Sequence, residues 1–550
     1  MRLDVGRARD DGGMPSFPTK ASPSVDKLRG GYYTPDLIAQ FVAGWVGEAG
    51  AKVLEPACGD GAILRWLASD GREALGVELV DVEAAKASLI KGAEVVQGDF
   101  FAWFTSTQHG RWDGVAGNPP YIRFGSWAEG SRELAFRLMR AEGLAPSRLT
   151  NAWVPFVVAA VVAAKQGGRI GLVVPAELLQ VGYAALLRSY LVDRCSEITI
   201  VSFRGLVFPG ILQEVVLLLA TKGDGPARVR TVEADDADGL AALDMTGTAA
   251  RARLHESEKW TKYYLGPDAI ELMREARVGK RLAPLGTYAD VNVGVVTGRN
   301  SFFTLSEKEA SDRRILRYTV PLLSRSAQIR GITFGADDLA ADAQKSLRTR
   351  LLAVPADLDL ARHPDLAAYI VLGEEHNVPD GYKCSIRTPW WSVPSVKAPD
   401  GFMLRQVSSH VQLTANDVGA TSTDTVHRVY LRAGVTMAKV ATAALNSATL
   451  ALSEVLGRSY GGGLLELEPS ECRALPIPDP GLVPDGLPEK VDELQRGGRM
   501  ADALELVDEL VLIDGAGFTA QDVSDLRSAW TQMRERRGAR GRASRTPMVN

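Results

Sequence analysis

From about residue 31 to residue 220, short apolar runs that read as strands alternate with stretches of helical period, and this alternation narrows the possible folds more than any other feature of the chain. Strands are expected at 52–55, 74–78, 94–97, 112–117 and 169–174. Helical stretches at 61–68, 81–90 and 152–165 lie between them. A helix over 35–46 precedes the first strand, with Thr34 as its N-cap and Pro35 at its first helical position. Repeated strand–helix units build a parallel sheet covered on both faces. The runs 197–203 and 214–220, joined by a turn at Pro209 and Gly210, read as an antiparallel pair closing that sheet.

Roughly three units are expected from 550 residues. Behind a flexible arm (1–30) they are the α/β domain (31–265), a domain of different texture (266–480), and a helical segment with a basic tail (481–550). The longest apolar run, 153–164, is stopped by Lys165, well short of the ~20 residues a bilayer span needs. The start (Met1, Arg2, Leu3, Asp4) lacks the apolar core of a signal peptide, so a cytoplasmic protein with no membrane partner is expected. Cys58, Cys195, Cys384 and Cys472 are scattered and read as reduced thiols, with no metal site. The net charge of −4 excludes a chain that holds nucleic acid by bulk charge but leaves a local basic surface open.

Two constellations carry chemistry. Val53-Leu54-Glu55-Pro56-Ala57-Cys58-Gly59-Asp60-Gly61 runs from a strand through a tight turn into a helix. Glycine lets the backbone approach a ligand, and a helix N-terminus offers free N–H groups. No Gly-Lys-Ser/Thr follows, and the three glycines of a dinucleotide fingerprint are missing. A polar residue ends or follows each later strand: Glu78, Asp99 and Asn118. In an open parallel sheet these positions converge on one crevice. A carboxylate after the second strand suits a ribose diol, and an acid after the third suits an adenine amino group. These demands match S-adenosylmethionine, a nucleoside carrying a sulfonium and no phosphate.

The second constellation is Asn118-Pro119-Pro120-Tyr121. An exocyclic adenine amine is a poor nucleophile because its lone pair is delocalised into the ring. The Asn118 amide oxygen and the Pro119 carbonyl can accept both amine protons, which localises the lone pair for attack on a methyl group. The prolines fix φ and remove competing donors. Tyr121 supplies a stacking face for a planar substrate.

With these motifs in this order, preceded by Gly31-Tyr32-Tyr33-Thr34-Pro35, the chain resembles over about 30–480 the gamma-class, Taq-type amino-methyltransferases that make N6-methyladenine in DNA. The resemblance implies a Rossmann-like class I methyltransferase domain with a mostly parallel seven-stranded sheet, a C-terminal mixed α/β target-recognition domain and terminal helices. It also implies that Thr34, Glu55, Ala57, Gly59, Glu78 and Asp99 contact the cofactor, with Phe100 beside its adenine and Phe156 on the other side of that ring. In Leu206-Val207-Phe208-Pro209, Phe208 would stack on the extruded base as a partner of Tyr121. The absence of any Pro-Cys dipeptide argues against cytosine C5 methylation, and Asn at 118 leans toward adenine over cytosine N4.

The second half adds about 250 residues that a small-molecule or protein methyltransferase does not need. The segment 290–303 resembles the opening of the target-recognition domain, and Leu475-Pro476-Ile477-Pro478 its close. Arg313, Arg314, Arg317, Arg325 and Arg330 form a stretch without acids that could neutralise phosphates. Tyr382-Lys383, Arg387, Trp390-Trp391 and Arg458-Ser459-Tyr460 mix cations with aromatics. The expectation is a monomeric, site-specific adenine-N6 methyltransferase acting on double-stranded DNA, the modification partner of a separately encoded restriction endonuclease. The alternatives are a protein glutamine-N5 methyltransferase and a DNA cytosine-N4 methyltransferase.

Overall fold

The computed structural model describes residues 34–543 other than 70, 205–206, 209–213, 225–226, 246–249, 252–258, 279–280 and 461–462. The 1–30 arm, residues 31–33 of the leading segment, the turn at 209–210 and the last residues of the basic tail lie outside them.

One nine-stranded sheet organises the first half. Its strands are β1 (Lys52–Pro56), β2 (Glu73–Glu78), β3 (Ala93–Gln97), β4 (Trp112–Gly117), β5 (Ala164–Pro175), β6 (Cys195–Phe203), β7 (Val215–Lys222), β8 (Arg228–Ala234) and β9 (Ala250–Arg251). They lie in the order β3-β2-β1-β4-β5-β7-β6-β8-β9. β1 to β5 are parallel, and β7 inserts antiparallel between β5 and β6. The sheet is therefore Rossmann-like, with two strands beyond the seven expected. The extra strands come from the stretch after residue 221, where few large hydrophobes hide a strand pattern: β8 is only partly buried because it lies near the edge. β1 and the 170–175 part of β5 are almost wholly buried, as strands covered on both faces must be.

The order reverses between β1 and β4, so the crevice of the fold opens at the carboxyl ends of these two strands. Helix Asp36–Gly47 lies directly on this sheet, because Gly114 and Gly171 leave room for Val46: a Cβ on either would come within 2.2 and 2.9 Å of its methyls. This helix begins one residue later than expected, with Pro35 at the cap position and no side-chain cap. Thr34 turns its hydroxyl elsewhere. The helical stretch expected at 61–68 is only half helical, with helix at Leu64–Leu67 and turn on either side. Helix Trp153–Ala163 is buried on every side, which explains its unbroken apolar sequence.

The second half holds two main cores. One gathers Phe302, Phe303, Leu351, Tyr369 and Cys384 between residues 295 and 396. The other begins at Leu265 and takes in Val291, Val440 and Leu450 together with Val491, Leu526 and Trp530 of the last helices. Residues 481–543 thus share the core of the preceding region instead of forming a unit of their own. The last helix, Ala520–Ala543, also reaches back to the nine-stranded sheet. Arg536 sits 3.3 Å above the Tyr264 ring and pairs with Glu233 of β8, while Arg537 forms a fully buried ion pair with Glu454 at 2.7 Å.

Candidate active site

The crevice holds a cavity of about 600 Å³. Thr34, Glu55, Ala57, Gly59, Glu78, Asp99, Phe100, Phe156 and Asn118 all line it. Sequence reasoning missed Ile122, Ser126, Trp127 and Ala128, which close it from the loop after the Asn118–Tyr121 motif, and Ser131 in the first turn of the following helix, Glu129–Ala141. A loop of irregular backbone has no periodicity to betray such positions.

The turn after β1 is built from left-handed residues: Ala57 (φ 57°), Gly59 (φ 56°) and Gly61 (φ 88°). A non-glycine residue in this region is uncommon and costs conformational energy, so Ala57 is held there by its surroundings. The Cys58 N–H donates to Val77 O of β2 at 3.0 Å. The Gly59 N–H donates to Glu78 Oε2 at 2.8 Å, and Val80 N–H to Glu78 Oε1 at 2.8 Å. Glu78 therefore stitches the first turn to the second strand, and its remaining lone pairs are what a ribose diol can use. A Cβ on Gly59 would meet nothing within 4 Å, so the backbone here faces open space.

Asp99 caps the short helix Phe100–Trp103 through the Ala102 N–H at 2.9 Å and accepts from the Ser131 hydroxyl. Phe100 and Phe156 do not flank a slot. Their rings stack on each other, centroids 5.2 Å apart and 24° from parallel. An adenine between them would need two carbon–carbon contacts of ~3.5 Å, about 7 Å in all. The pair instead forms one apolar wall against which a nucleobase can rest.

At the mouth, Asn118 Nδ2 donates to Thr34 Oγ1 at 3.2 Å, and the Tyr121 hydroxyl donates to Asn118 Oδ1 at 3.0 Å. The Tyr121 hydroxyl also lies 3.1 Å from Val173 O at the end of β5. These contacts fix which side of the amide carries the oxygen. Tyr121 is half-buried between the two cores that flank the sheet. Phe208 is buried in the same cluster as Phe203, Val215 and Leu217, so it is not displayed on an open face as a base-stacking ring would be.

The electrostatics are one-sided. Glu55, Asp60, Glu78, Glu83 and Asp99 line the cavity, and among the described residues no lysine, arginine or histidine does. Burial first, then Glu78 and Asp60, pushes the Glu55 carboxyl well above the usual carboxylate range. Burial, then Glu55, Glu78 and Asp60, pushes the Cys58 thiol up too, so it stays protonated and unreactive. All four cysteines are buried free thiols, and no cluster of metal-ligating residues occurs among the described residues.

The arginines of the second half divide. Arg313, Arg314, Arg317 and Arg325 are exposed, with Arg313 over the Tyr369 ring and Arg317 over Tyr318. Arg330 is not available to phosphate: it pairs with Asp338 at 3.0 Å and with the fully buried Asp342. Nearby, Tyr382 (73% exposed) and Lys383 lie beside the 290–303 segment, where Arg387 donates to Thr297 O at 2.7 Å.

Comparison with known proteins agrees with this geometry. Residues 19–242 match the N-6 DNA methylase family, and residues 257–512 match the C-terminal domain of type II methyltransferase M.Eco57I. The chain is 23% identical over 482 residues to type II methyltransferase M.AccI of Acinetobacter calcoaceticus, covering 82% of this chain and 86% of that one. Over 221 residues it is 34% identical to M.TthHB8I of Thermus thermophilus, covering 38% of this chain and 48% of that one. Among solved structures, the type IIL restriction-modification enzyme MmeI in complex with DNA shares the fold at a TM-score of 0.54 and 11% identity, over 91% of this chain and 76% of that one. The expected adenine-N6 methylase family is borne out. Neither the glutamine nor the cytosine-N4 alternative is favoured by these matches.

Proposed function

From an N-6 DNA methylase domain joined to the C-terminal domain of the type II methyltransferases, we infer that this chain is a site-specific DNA methyltransferase that moves a methyl group from S-adenosylmethionine to N6 of adenine. The observation that carries the reading is Asn118, whose amide oxygen is oriented by Thr34 and Tyr121 at the mouth of a cavity lined by carboxylates. The order of motifs supports a gamma-class reading.

The cavity fits the cofactor. Its acids suit a cation, Glu78 suits a ribose diol, the Phe100–Phe156 wall suits a nucleobase, and the open backbone at Gly59 admits close approach. Bound there, S-adenosylmethionine supplies an electrophilic methyl group. Asn118 Oδ1 and the Pro119 carbonyl accept the two protons of the adenine amine and localise its lone pair, an interaction that strengthens as the nitrogen becomes tetrahedral. A paired adenine hides its amine inside the duplex, so the base must be extruded. Tyr121, at the end of the catalytic loop, is the residue placed to receive it. Phe208 joins it only if its own segment rearranges.

The second half reads the target. Arg313, Arg314, Arg317 and Arg325 contact phosphates, and the exposed Tyr382–Lys383 pair lies on the same unit. We place the protein in the cytoplasm as a monomer, the modification component of a restriction-modification system whose nuclease is encoded separately. No helix among the described residues is long and apolar enough to cross a membrane.

The test is incubation with labelled S-adenosylmethionine and DNA of mixed sequence, followed by nucleoside analysis. Label in N6-methyladenine supports the reading. Label in N4-methylcytosine, or in glutamine of an added protein substrate, overturns it.

A further inference from the structure

Just before the buried helix Trp153–Ala163 the chain passes through the loop 145–151, which carries Arg148 and Leu149 and no acid. Leu149 is 75% exposed although it is a large apolar side chain. The turn that displays it is nonetheless firmly made. The Ser147 N–H donates to Thr150 Oγ1 at 2.9 Å, the Leu149 N–H to Ser147 Oγ at 3.2 Å, and the Thr150 N–H to Ser147 O at 3.0 Å. Thr150 itself is buried, so these bonds hold the loop in one shape in the free protein. Two residues further on, the Ala152 N–H donates to Ile122 O at 2.9 Å, one residue beyond Tyr121. β4 and β5 are parallel, so the helix that leads into β5 runs back along the sheet and starts at the edge where Asn118 lies. Leu149 is thus offered to solvent beside the mouth of the catalytic cavity. Other exposed apolar side chains have other places: helix Asp81–Ala87 carries Leu89 toward the opposite edge of the sheet, and Leu79 lines the cofactor cavity.

Resting on the reading of the chain as a base-extruding adenine methyltransferase, we propose that Leu149 is the side chain that enters the duplex where the target adenine leaves it, with Arg148 beside it on a flanking phosphate. Extrusion leaves the two neighbouring bases unstacked and the opposite base without its partner. The gap is bounded by the flat faces of bases and suits an apolar wedge, and leucine is among the side chains that proteins drive between base steps. Contact that Leu149 lacks in the free protein is supplied by the DNA. The bonds within its turn mean that the loop need not be ordered at that moment, which favours binding. Tyr121 then receives the extruded base, and Leu149 occupies the place it has vacated.

The experiment is single-turnover methylation of two duplexes built around a sequence that the wild-type protein methylates. One is fully paired, and the other carries a mismatched base opposite the target adenine. Leu149→Ala should slow methylation of the paired duplex about tenfold and of the mismatched duplex less than about threefold, because a mismatched adenine has less pairing to lose. Leu149→Met keeps an apolar wedge of similar volume and should stay within about threefold of the wild type on both. The melting temperature and cofactor affinity of Leu149→Ala should be unchanged, since its side chain stands outside the packed core. Arg148→Ala should weaken DNA binding and its salt dependence without altering the ratio of the two rates. An unchanged rate of Leu149→Ala on the paired duplex, equal slowing on both duplexes, or a Leu149→Met enzyme as slow as Leu149→Ala would overturn the proposal and leave the methyltransferase reading intact. A wild-type protein that methylates no adenine in DNA would overturn that reading, and the proposal with it.

Discussion

Asn118 Nδ2 donates to Thr34 Oγ1 across 3.2 Å, joining the residue two before the first described helix to a catalytic loop 84 positions later. The leading motif and the catalytic motif are thus one piece of structure. Thr34 holds the amide in the orientation that presents its oxygen to the substrate.

Asn118→Ala should lower single-turnover methylation by about 10²–10³, in the range for deleting one group that stabilises a transition state, with cofactor affinity retained. Thr34→Val should cost about 5- to 10-fold in the same assay, since it removes one orienting hydrogen bond of ordinary strength. A Thr34→Val enzyme of full activity would show that the amide is oriented without it.

Tyr121 has two separable parts. Tyr121→Phe keeps the ring and loses the hydroxyl that meets Asn118 Oδ1 and Val173 O. It should reduce turnover several-fold while leaving intact the fluorescence rise of 2-aminopurine placed at the target adenine. Tyr121→Ala should lose both, because stacking on an aromatic contributes about 1–3 kcal/mol per base. Equal fluorescence in all three proteins would return Tyr121 to a purely structural role.

Glu78→Ala should harm more than cofactor binding. It leaves the Gly59 and Val80 N–H groups without their acceptors and should destabilise the empty protein by about 2–4 kcal/mol, at roughly 1–2 per donor. Glu78→Gln retains one acceptor and should lose less. Thermal melts without ligand test this, and an unchanged melting temperature in Glu78→Ala would refute the stitching role.

The pH dependence follows from Glu55, whose carboxyl is raised in the empty cavity by burial, Glu78 and Asp60. A raised acid favours the fold below its ordinary pKa and loses that contribution as pH climbs through the raised value. The empty protein should therefore weaken toward alkaline pH by way of this residue, and Glu55→Gln should relieve that loss. Cofactor affinity should move oppositely, rising with pH until Glu55 is ionised without help. An affinity that is flat across that range in the wild type contradicts this assignment.

Arg330 and Arg317 should part company when each is changed to alanine. Burial alone would raise the Asp338 carboxyl, but hydrogen bonds from Arg496, the Gly335 N–H and Arg330 bring it down to about 2. Removing Arg330 strands Asp342 in the core, so the variant should lose about 3–5 kcal/mol, read by denaturant unfolding. Arg317→Ala should leave stability within ~0.5 kcal/mol and reduce the slope of log affinity for DNA against log salt by about one. The reverse pattern would exchange their roles.

Strand–helix alternation by itself determined the Rossmann-like class, because a buried parallel strand must be apolar throughout and a covering helix must be periodic. The positions of Glu55, Glu78, Asp99 and Asn118 at strand ends were likewise legible, since chain direction in a parallel sheet sends every carboxyl end to one edge. The partners of these side chains were not. That Glu78 ties down Gly59, that Thr34 serves Asn118 instead of capping its helix, and that Phe100 rests on Phe156 depend on angles and distances between segments far apart in sequence. The same holds for Arg330, whose run of arginines looks uniform in one dimension until Asp338 and Asp342 of a following helix fold against one of them. β8 and β9 escaped notice because edge strands face solvent and need no apolar pattern. Periodicity records which face a residue turns to the core, whereas the partner it meets there is set by packing alone.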